Sequence, residues 1–221
     1  MVAVVERPMH MVLPNISWDT FERVLDEIGE THFRVTYQRG RLEFMTISYE
    51  HDNVGRWIGR LIFFVAMEMR ISLATGGSTT LKAALRQVGL EPDECFWIKH
   101  ESNMRGKKKW QARKDPPPDL AVEIDITSSW LDRLEVYAAL EVPEVWRFDG
   151  ETLRVLVLVN GKYKERARSL AFPALPMDGF ARFAKKLGSA DEVTLIQEFT
   201  EWLRSNVVGK KAGGERKNGR R

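Results

Sequence analysis

The chain has 221 residues, of which 43% are hydrophobic and 29% are charged, the composition of an ordinary globular domain. No stretch approaches the roughly 20 apolar residues that a membrane-spanning helix needs. The N-terminal residues also lack the pattern of a secretion signal. The single cysteine, Cys95, excludes an internal disulfide and a cysteine-rich zinc site. We therefore expect a cytoplasmic protein that does not bind membranes.

The net charge of +3 is distributed unevenly along the chain. Residues 99–114 hold seven Lys or Arg against one acid, and residues 204–221 hold the same numbers, so each segment carries +6 and the rest of the chain −9. Basic clusters of this kind suit a polyanion such as nucleic acid. The candidate DNA-binding side chains are basic residues of the first segment: Lys107, Lys108, Lys109 and Arg113. The alternative for both segments is a solvated loop and a disordered tail.

The first third of the chain predicts a helix, a hairpin and a long helix. Ser17 is a good N-cap, and Gly40 ends a turn between two alternating segments. Apolar residues of the long helix recur at helical spacing, so one of its sides is predicted to be buried. In chain order the elements are a loose lead-in (1–14), a helix (18–28), two strands (32–37 and 41–46) and the long helix (48–69).

Short strands alternate with helices in the rest of the chain. The near-continuous apolar run 120–126 is typical of a central strand, and a right-handed crossover through the next helix would make the following strand parallel to it. Ser128 or Ser129 is expected to cap that helix. The predicted strands are 79–83, 93–98, 120–126, 145–148, 153–159 and 162–167, and the predicted helices are 130–140, 179–187 and 190–204. This order predicts one α/β domain over residues 15–204, a mixed sheet flanked by helices, followed by a disordered basic tail over 205–221.

Acidic residues inside apolar segments are the strongest functional signal. Glu123 lies within the run 120–126, and a buried carboxylate is costly unless it is paired or bound to a metal. Asp93 begins another predicted strand. If the two strands are neighbours, the carboxylates converge and can hold Mg²⁺ or Mn²⁺. Such an ion can activate a water and stabilise charge on a phosphate oxygen.

Several other residues near these acids are candidates for the site or for structural roles beside it. Lys82 or Arg133 is expected to supply the positive charge that a phosphate needs. Asp125 is either a second metal ligand or a partner for the backbone of the turn that follows it. Asp119 is expected mainly to fix the turn before its strand. His51, at the start of the long helix, is either a capping residue or part of the site.

Several spaced motifs together resemble the Uma-type restriction endonuclease family, whose members are assigned to the PD-(D/E)XK nuclease superfamily. The resemblance covers roughly residues 30–187. The segments that carry it are Gly40 of the hairpin, SYEH at 48–51, GSTT at 77–80, Lys82, PD at 92–93, PDLAVEI at 118–124 and YAALEVPEVW at 137–146.

The resemblance implies a restriction-endonuclease-like core, a mixed sheet with helices on both faces. It also implies a metal site made by Glu50 on the long helix, Asp93 and Glu123. The superfamily has a lysine two residues after that glutamate, where this chain has Asp125. In this family the lysine looks displaced to the following helix, where this chain has Arg133, which keeps a positive charge but cannot act as a base.

These observations favour a Mg²⁺- or Mn²⁺-dependent endonuclease that hydrolyses DNA phosphodiester bonds. Asp93, Glu123 and either Arg133 or Lys82 are its predicted catalytic residues. The alternative is a non-catalytic nucleic-acid-binding module on the same fold. A third interpretation is an interaction protein, since seven tryptophans and several apolar helices could form a homodimer interface.

Overall fold

A computed structural model of the protein describes residues 9–29, 33–126 and 131–208. Within these ranges the chain forms two β-sheets and six α-helices. The strands are β1 (His10–Leu13), β2 (Phe33–Gln38), β3 (Arg41–Thr46), β4 (Ala74–Thr75), β5 (Leu81–Ala83), β6 (Val88–Leu90), β7 (Glu94–Trp97), β8 (Leu120–Ile124), β9 (Glu144–Phe148), β10 (Leu153–Val159) and β11 (Lys162–Arg166). The helices are α1 (Trp18–Ile28), α2 (Tyr49–Met69), α3 (Glu101–Met104), α4 (Arg133–Ala139), α5 (Met177–Ala184) and α6 (Glu192–Leu203).

The first sheet is antiparallel throughout and has the strand order β1-β3-β2-β6-β5. Helix α1 covers it, and Ser17 begins this helix as predicted, because its side chain accepts a hydrogen bond from the Thr20 N–H at 3.2 Å. The ring of Phe21 on α1 stacks on Tyr37 of β2 with centroids 4.7 Å apart. Burying side chains of this size stabilises the fold by about 1.5–3 kcal/mol each.

The second sheet is mixed and has the strand order β11-β10-β9-β8-β7-β4. Strands β8 and β9 are parallel, as the predicted crossover requires, and α4 connects them. Helices α2, α5 and α6 bury their apolar sides against this sheet. Trp146 of β9 packs on Phe180 of α5 with centroids 5.1 Å apart, and Phe180 contacts Phe199 of α6. This core holds the ends of β7 and β8 in a fixed position.

Helix α4 lies at the junction of the two sheets. Its Val136 and Tyr137 belong to one buried cluster with Leu90 of the first sheet and with Ala121 and Val145 of the second. No helix in the described ranges is both long enough and apolar enough to cross a membrane. The α/β class with helices on a mixed sheet is confirmed, but the described residues form two sheets instead of the one predicted. The hairpin β2–β3 and the predicted strand 79–83 both belong to the first, antiparallel sheet.

Three strands, β1, β4 and β6, appear where none was predicted. β1 lies in the segment 1–14, predicted as a loose lead-in, and pairs with β3 from His10 to Leu13. β6 lies at the predicted turn around Leu90 and pairs with both β2 and β5. A three-residue strand that contains glycine has no readable periodicity, so only its distant partners define it.

Two helical segments also differ from the prediction. Helix α3 interrupts the basic segment 99–114, which was predicted to be a loop. Helix α4 begins at Arg133 instead of residue 130, because Asp132 is its N-cap and accepts hydrogen bonds from the Leu134 and Glu135 N–H groups at 3.0 and 3.3 Å. The predicted disordered tail starts too early, because residues 205–208 form a helical turn after α6 in which Val207 is buried. The rest of the tail, from 209 onward, and the predicted caps at 128 and 129 lie outside the described residues.

Candidate active site

Asp93 and Glu123 lie side by side at the ends of two neighbouring strands. Glu94 pairs with Val122 in the antiparallel register of β7 and β8, which brings Asp93 next to Glu123 and Ile124. The Asp93 Oδ2 atom accepts a hydrogen bond from the Ile124 N–H at 2.8 Å. Both acids are only 8% exposed. The condition for the two acids to converge, that their strands are neighbours, is therefore met.

The carboxylate of Glu123 is held by two residues of α4. Arg133 donates from Nε to Oε2 and from Nη2 to Oε1, both at 2.7 Å, and Tyr137 donates from its hydroxyl to Oε1. Arg133 and Tyr137 are four residues apart, so they project from the same side of the helix. The cap at Asp132 starts α4 immediately before Arg133 and thereby directs this side at β8.

Arg133 is also fixed by the backbone and by a hydroxyl. Its Nη1 donates to Thr36 Oγ1 of β2 and its Nη2 donates to the Glu91 carbonyl oxygen, each at 2.7 Å. Burial lowers the pKa of the Arg133 guanidinium, but the surrounding groups, Glu123 first and then Tyr137 and Asp93, together outweigh burial, and the pKa is raised overall. Burial, followed by the charge of Glu123, raises the pKa of Tyr137 well above its ordinary value. Arg133 therefore stays charged and Tyr137 stays a hydrogen-bond donor.

Asp93 has a different set of neighbours. Arg34 of β2 lies with its Nε 3.3 Å from Asp93 Oδ1, and His51 of α2 lies with its Nε2 3.6 Å from Asp93 Oδ2. Glu94, the next residue, is half-buried. Its carboxyl group packs closely against Gly59 of α2, where an added Cβ atom would crowd it. Burial and then the charge of Asp93 raise the pKa of Glu94 to about 7. Arg34 and Glu94 escaped the sequence analysis; Glu94 could have been noticed as a second acid directly after Pro-Asp.

Comparison with known proteins identifies the family. A family model described as "Uma2: Putative restriction endonuclease" matches residues 18–181, most of the chain. The chain belongs to the Uma2 family. A solved structure that it resembles is described as a "putative nuclease belonging to DUF820 from Anabaena variabilis ATCC 29413", with 16% identity, a TM-score of 0.49, and coverage of 76% of this chain and 92% of that chain. None of the curated proteins compared with it matches.

The residues that the Uma2 resemblance implies do not all meet at one point. Glu50 is exposed in the first turn of α2, next to the buried His51. Lys82 lies on β5, where its Nζ is 3.0 Å from Glu22 of α1. Asp125 pairs with Arg147 of β9. Within residues 9–29, 33–126 and 131–208, no three side chains of His, Cys, Asp or Glu form a group that could hold a metal ion.

The basic segment of this Uma2 protein is largely exposed. Lys107 forms an ion pair with Asp115, which anchors the segment to the residues before β8. Asp119 fixes the other end, because its Oδ2 accepts from the Ile98 N–H at 2.7 Å and from the His100 N–H at 3.0 Å. All seven Lys and Arg side chains of the segment are exposed, among them the four that the sequence analysis named: Lys107, Lys108, Lys109 and Arg113. They remain predicted DNA contacts.

Proposed function

We propose that this protein is a metal-dependent endonuclease that hydrolyses DNA phosphodiester bonds. The proposal is supported by membership of the Uma2 family and above all by one observation, the adjacent buried carboxylates of Asp93 and Glu123. Two buried acids beside each other are costly, so they need cations around them. Arg34 and Arg133 supply such cations inside the protein, and a divalent ion would add to them.

The residues present fit Mg²⁺ or Mn²⁺. Mg²⁺ is usually held by one or two carboxylates and keeps several of its waters, which allows a site without a third acidic side chain. Asp93 is the more available ligand, since within the described ranges one of its oxygens accepts the Ile124 N–H at 2.8 Å and the other accepts from Arg34 at 3.3 Å. Glu123 would share its oxygens with Arg133 and Tyr137. When bound, such an ion activates a water and stabilises phosphate charge.

The cations at the site would bind and orient the phosphate. Within the described ranges Arg133 uses four of its five N–H groups, which leaves one on Nη1 for a phosphate oxygen. Arg133 cannot accept the proton of the attacking water, because its pKa lies far above neutral. We assign it to positioning Glu123 and stabilising negative charge. Lys82, paired with Glu22, remains the second candidate for that charge.

The test is plasmid cleavage by the purified full-length protein with Mg²⁺, with Mn²⁺ and with EDTA. Cleavage should require a divalent ion and should fall by at least about a hundredfold in Asp93→Asn and Glu123→Gln. Glu165→Gln, on the exposed strand β11, is the matched control and should cut like the wild type. If the wild type leaves the plasmid intact under every metal, the proposed function is wrong.

A non-catalytic nucleic-acid-binding role is the second candidate, and the bidentate Arg133–Glu123 pair favours it, because the pair occupies the carboxylate that a metal would use. In that case DNA binding should persist without metal. Replacing Lys107, Lys108 and Lys109 by Gln should then flatten the dependence of log Kd on log salt by up to about 0.9 per lost phosphate contact. A Glu123→Gln variant should bind DNA unchanged.

A further inference from the structure

A small cavity lies at the end of β8 that is remote from the candidate active site. Its walls come from the turn after β5, from residues 110–117 and from the end of α4, and its volume is about 190 Å³. Pro117, one of its lining residues, comes before β8, whereas Glu123 is near the end of that strand. The Cα atoms of these two residues are at most about 22 Å apart. The residues assigned to the candidate active site do not line the cavity, so it is a separate feature.

The walls of this cavity are mainly apolar. Trp110 is fixed there through its Nε1, which donates to the Pro116 carbonyl oxygen at 2.8 Å. Leu85, another wall residue, is 79% exposed, so the cavity is open to solvent on that side. An apolar cavity of about 150 Å³ can hold benzene, whereas a drug-sized ligand needs about 300–1,000 Å³. The cavity therefore has room for a single small ring system.

A basic groove of about 480 Å³ adjoins the cavity. Asp115 lines both, and the other residues of the groove are Lys107, Lys108, Lys109, Gln111 and Lys114. The charge of Asp115 is balanced by the ion pair with Lys107. Lys108, Lys109 and the cavity residue Arg113 form no ion pair within residues 9–29, 33–126 and 131–208. Unpaired cations beside an apolar cavity suit a ligand that has both a ring and negative charges.

We propose that the cavity holds one unpaired base of a single-stranded DNA segment, with the base against Trp110 and the phosphates of the strand in the lysine groove. Proteins bind single strands in this way, by stacking bases on aromatic side chains and following the backbone with cations. A paired base is stacked on both faces inside the duplex and cannot enter a cavity. The choice of DNA rests on the proposed function, and the base held would lie within about six nucleotides of the phosphate that is cut.

The experiment compares two labelled strands of about 15 nucleotides that carry the same phosphates, one of thymidine and one of abasic sites. Fluorescence anisotropy gives the Kd of each for the full-length protein, at one fixed salt concentration and with EDTA present so that no strand is cut. The wild type should bind the thymidine strand at least about fivefold more tightly, because stacking of one base on an aromatic ring is lost in the abasic strand.

Two variants test the cavity itself. Trp110→Leu removes the aromatic face, and Ala112→Leu fills the space without removing any contact. Each should bring the Kd values of the two strands together and leave the abasic Kd within about twofold of the wild type. The Pro116 carbonyl oxygen keeps a hydrogen bond from Trp97 Nε1 at 3.0 Å, so Trp110→Leu leaves this acceptor paired.

Two further variants separate the base from the phosphates. Lys108→Gln should weaken the binding of both strands by the same factor, because it removes a phosphate contact only. Leu170→Ala alters an exposed leucine outside the cavity and should change neither Kd.

Equal Kd values for the two strands in the wild type would overturn the inference. So would a preference for thymidine that survives both Trp110→Leu and Ala112→Leu, or the absence of any binding. A uridine strand of RNA bound more tightly than the thymidine strand would overturn DNA as the ligand. None of these results depends on cleavage, so the plasmid assay decides the proposed function separately.

Discussion

Two acid–arginine ion pairs, Glu123–Arg133 and Asp125–Arg147, have their acids two residues apart on β8 and directly after it. The pairs carry the same charges but differ in burial and in the groups around them. Glu123 and Arg133 each have side chains about 10% exposed, whereas Asp125 and Arg147 are 31% and 36% exposed. The buried pair is joined by Tyr137, a backbone carbonyl and a hydroxyl. The charges of the two pairs therefore do not distinguish the candidate site from the protein surface. The number of buried hydrogen-bond partners around each pair does.

The largest expected effect comes from breaking the buried pair. Arg133→Met should lower the free energy of unfolding by about 3–5 kcal/mol, because it leaves Glu123 buried without its cation. Urea unfolding at pH 7 measures the loss. Arg147→Met is the matched control on the exposed pair and should cost less than about 1 kcal/mol. Equal losses in the two variants would mean that burial does not distinguish the pairs.

Removal of the tyrosine hydroxyl should have the next largest effect. Tyr137→Phe takes away the donor to Glu123 Oε1 and should cost about 1–3 kcal/mol in the same unfolding measurement. Tyr163→Phe removes a hydroxyl that donates to the Val142 carbonyl at 2.6 Å and should cost about 1 kcal/mol. A Tyr137 variant no less stable than the Tyr163 variant would argue against a special bond to Glu123.

Glu94 extends the comparison to an acid that forms no ion pair within the part of the chain that the structure describes. Its pKa rises from 4.5 to about 7 on folding, mainly through burial. The unfolded chain therefore loses this proton first, and stability falls as pH rises from about 4.5 to 7, then stays low. After allowance for its partial exposure, Glu94→Gln should be more stable than the wild type by about 1 kcal/mol at pH 8 and equal to it at pH 4. If the difference in stability between Glu94→Gln and the wild type is the same at pH 4 and at pH 8, Glu94 does not have a raised pKa in the folded protein.

The smallest effect is expected at the exposed pair itself. A double-mutant cycle of Asp125→Ala and Arg147→Ala should give a coupling free energy below about 1 kcal/mol. That coupling should shrink further at 1 M salt, because the Debye length falls to about 3 Å. A coupling free energy above about 2 kcal/mol that does not change with salt would instead mean that Asp125 behaves like the buried acid Glu123.

Much of the fold could be predicted from the sequence because its elements have clear local signals. The cap at Ser17, the turn at Gly40 and the apolar period of α2 each act within a few residues. The strands at Asp93 and Glu123 also had local signals, a Pro-Asp pair and an apolar run, but their pairing depends on the order of strands in the sheet. β6 could not be predicted, because its position depends on β2, about 50 residues earlier.

The surroundings of the acids depended on contacts distant in sequence. Arg34 is 59 residues from Asp93, and only the meeting of the two sheets brings them together. Lys82 was selected because it is near Asp93 in sequence, but β5 is the edge strand of the first sheet, and there its ammonium lies beside Glu22 of α1. Strand order, which local patterns do not encode, decided which cation reaches the carboxylates.

The contacts of Arg133 connect the two sheets, which also share the buried cluster around α4. One end of its guanidinium binds Thr36 in the first sheet, and the other binds Glu123 in the second. Any sliding of one sheet over the other must stretch these bonds, so the orientation of the Glu123 carboxylate reports the relative position of the sheets. The candidate active site therefore lies on a contact between the two sheets, and we expect substitutions in the N-terminal sheet near Thr36 to change the orientation of Glu123.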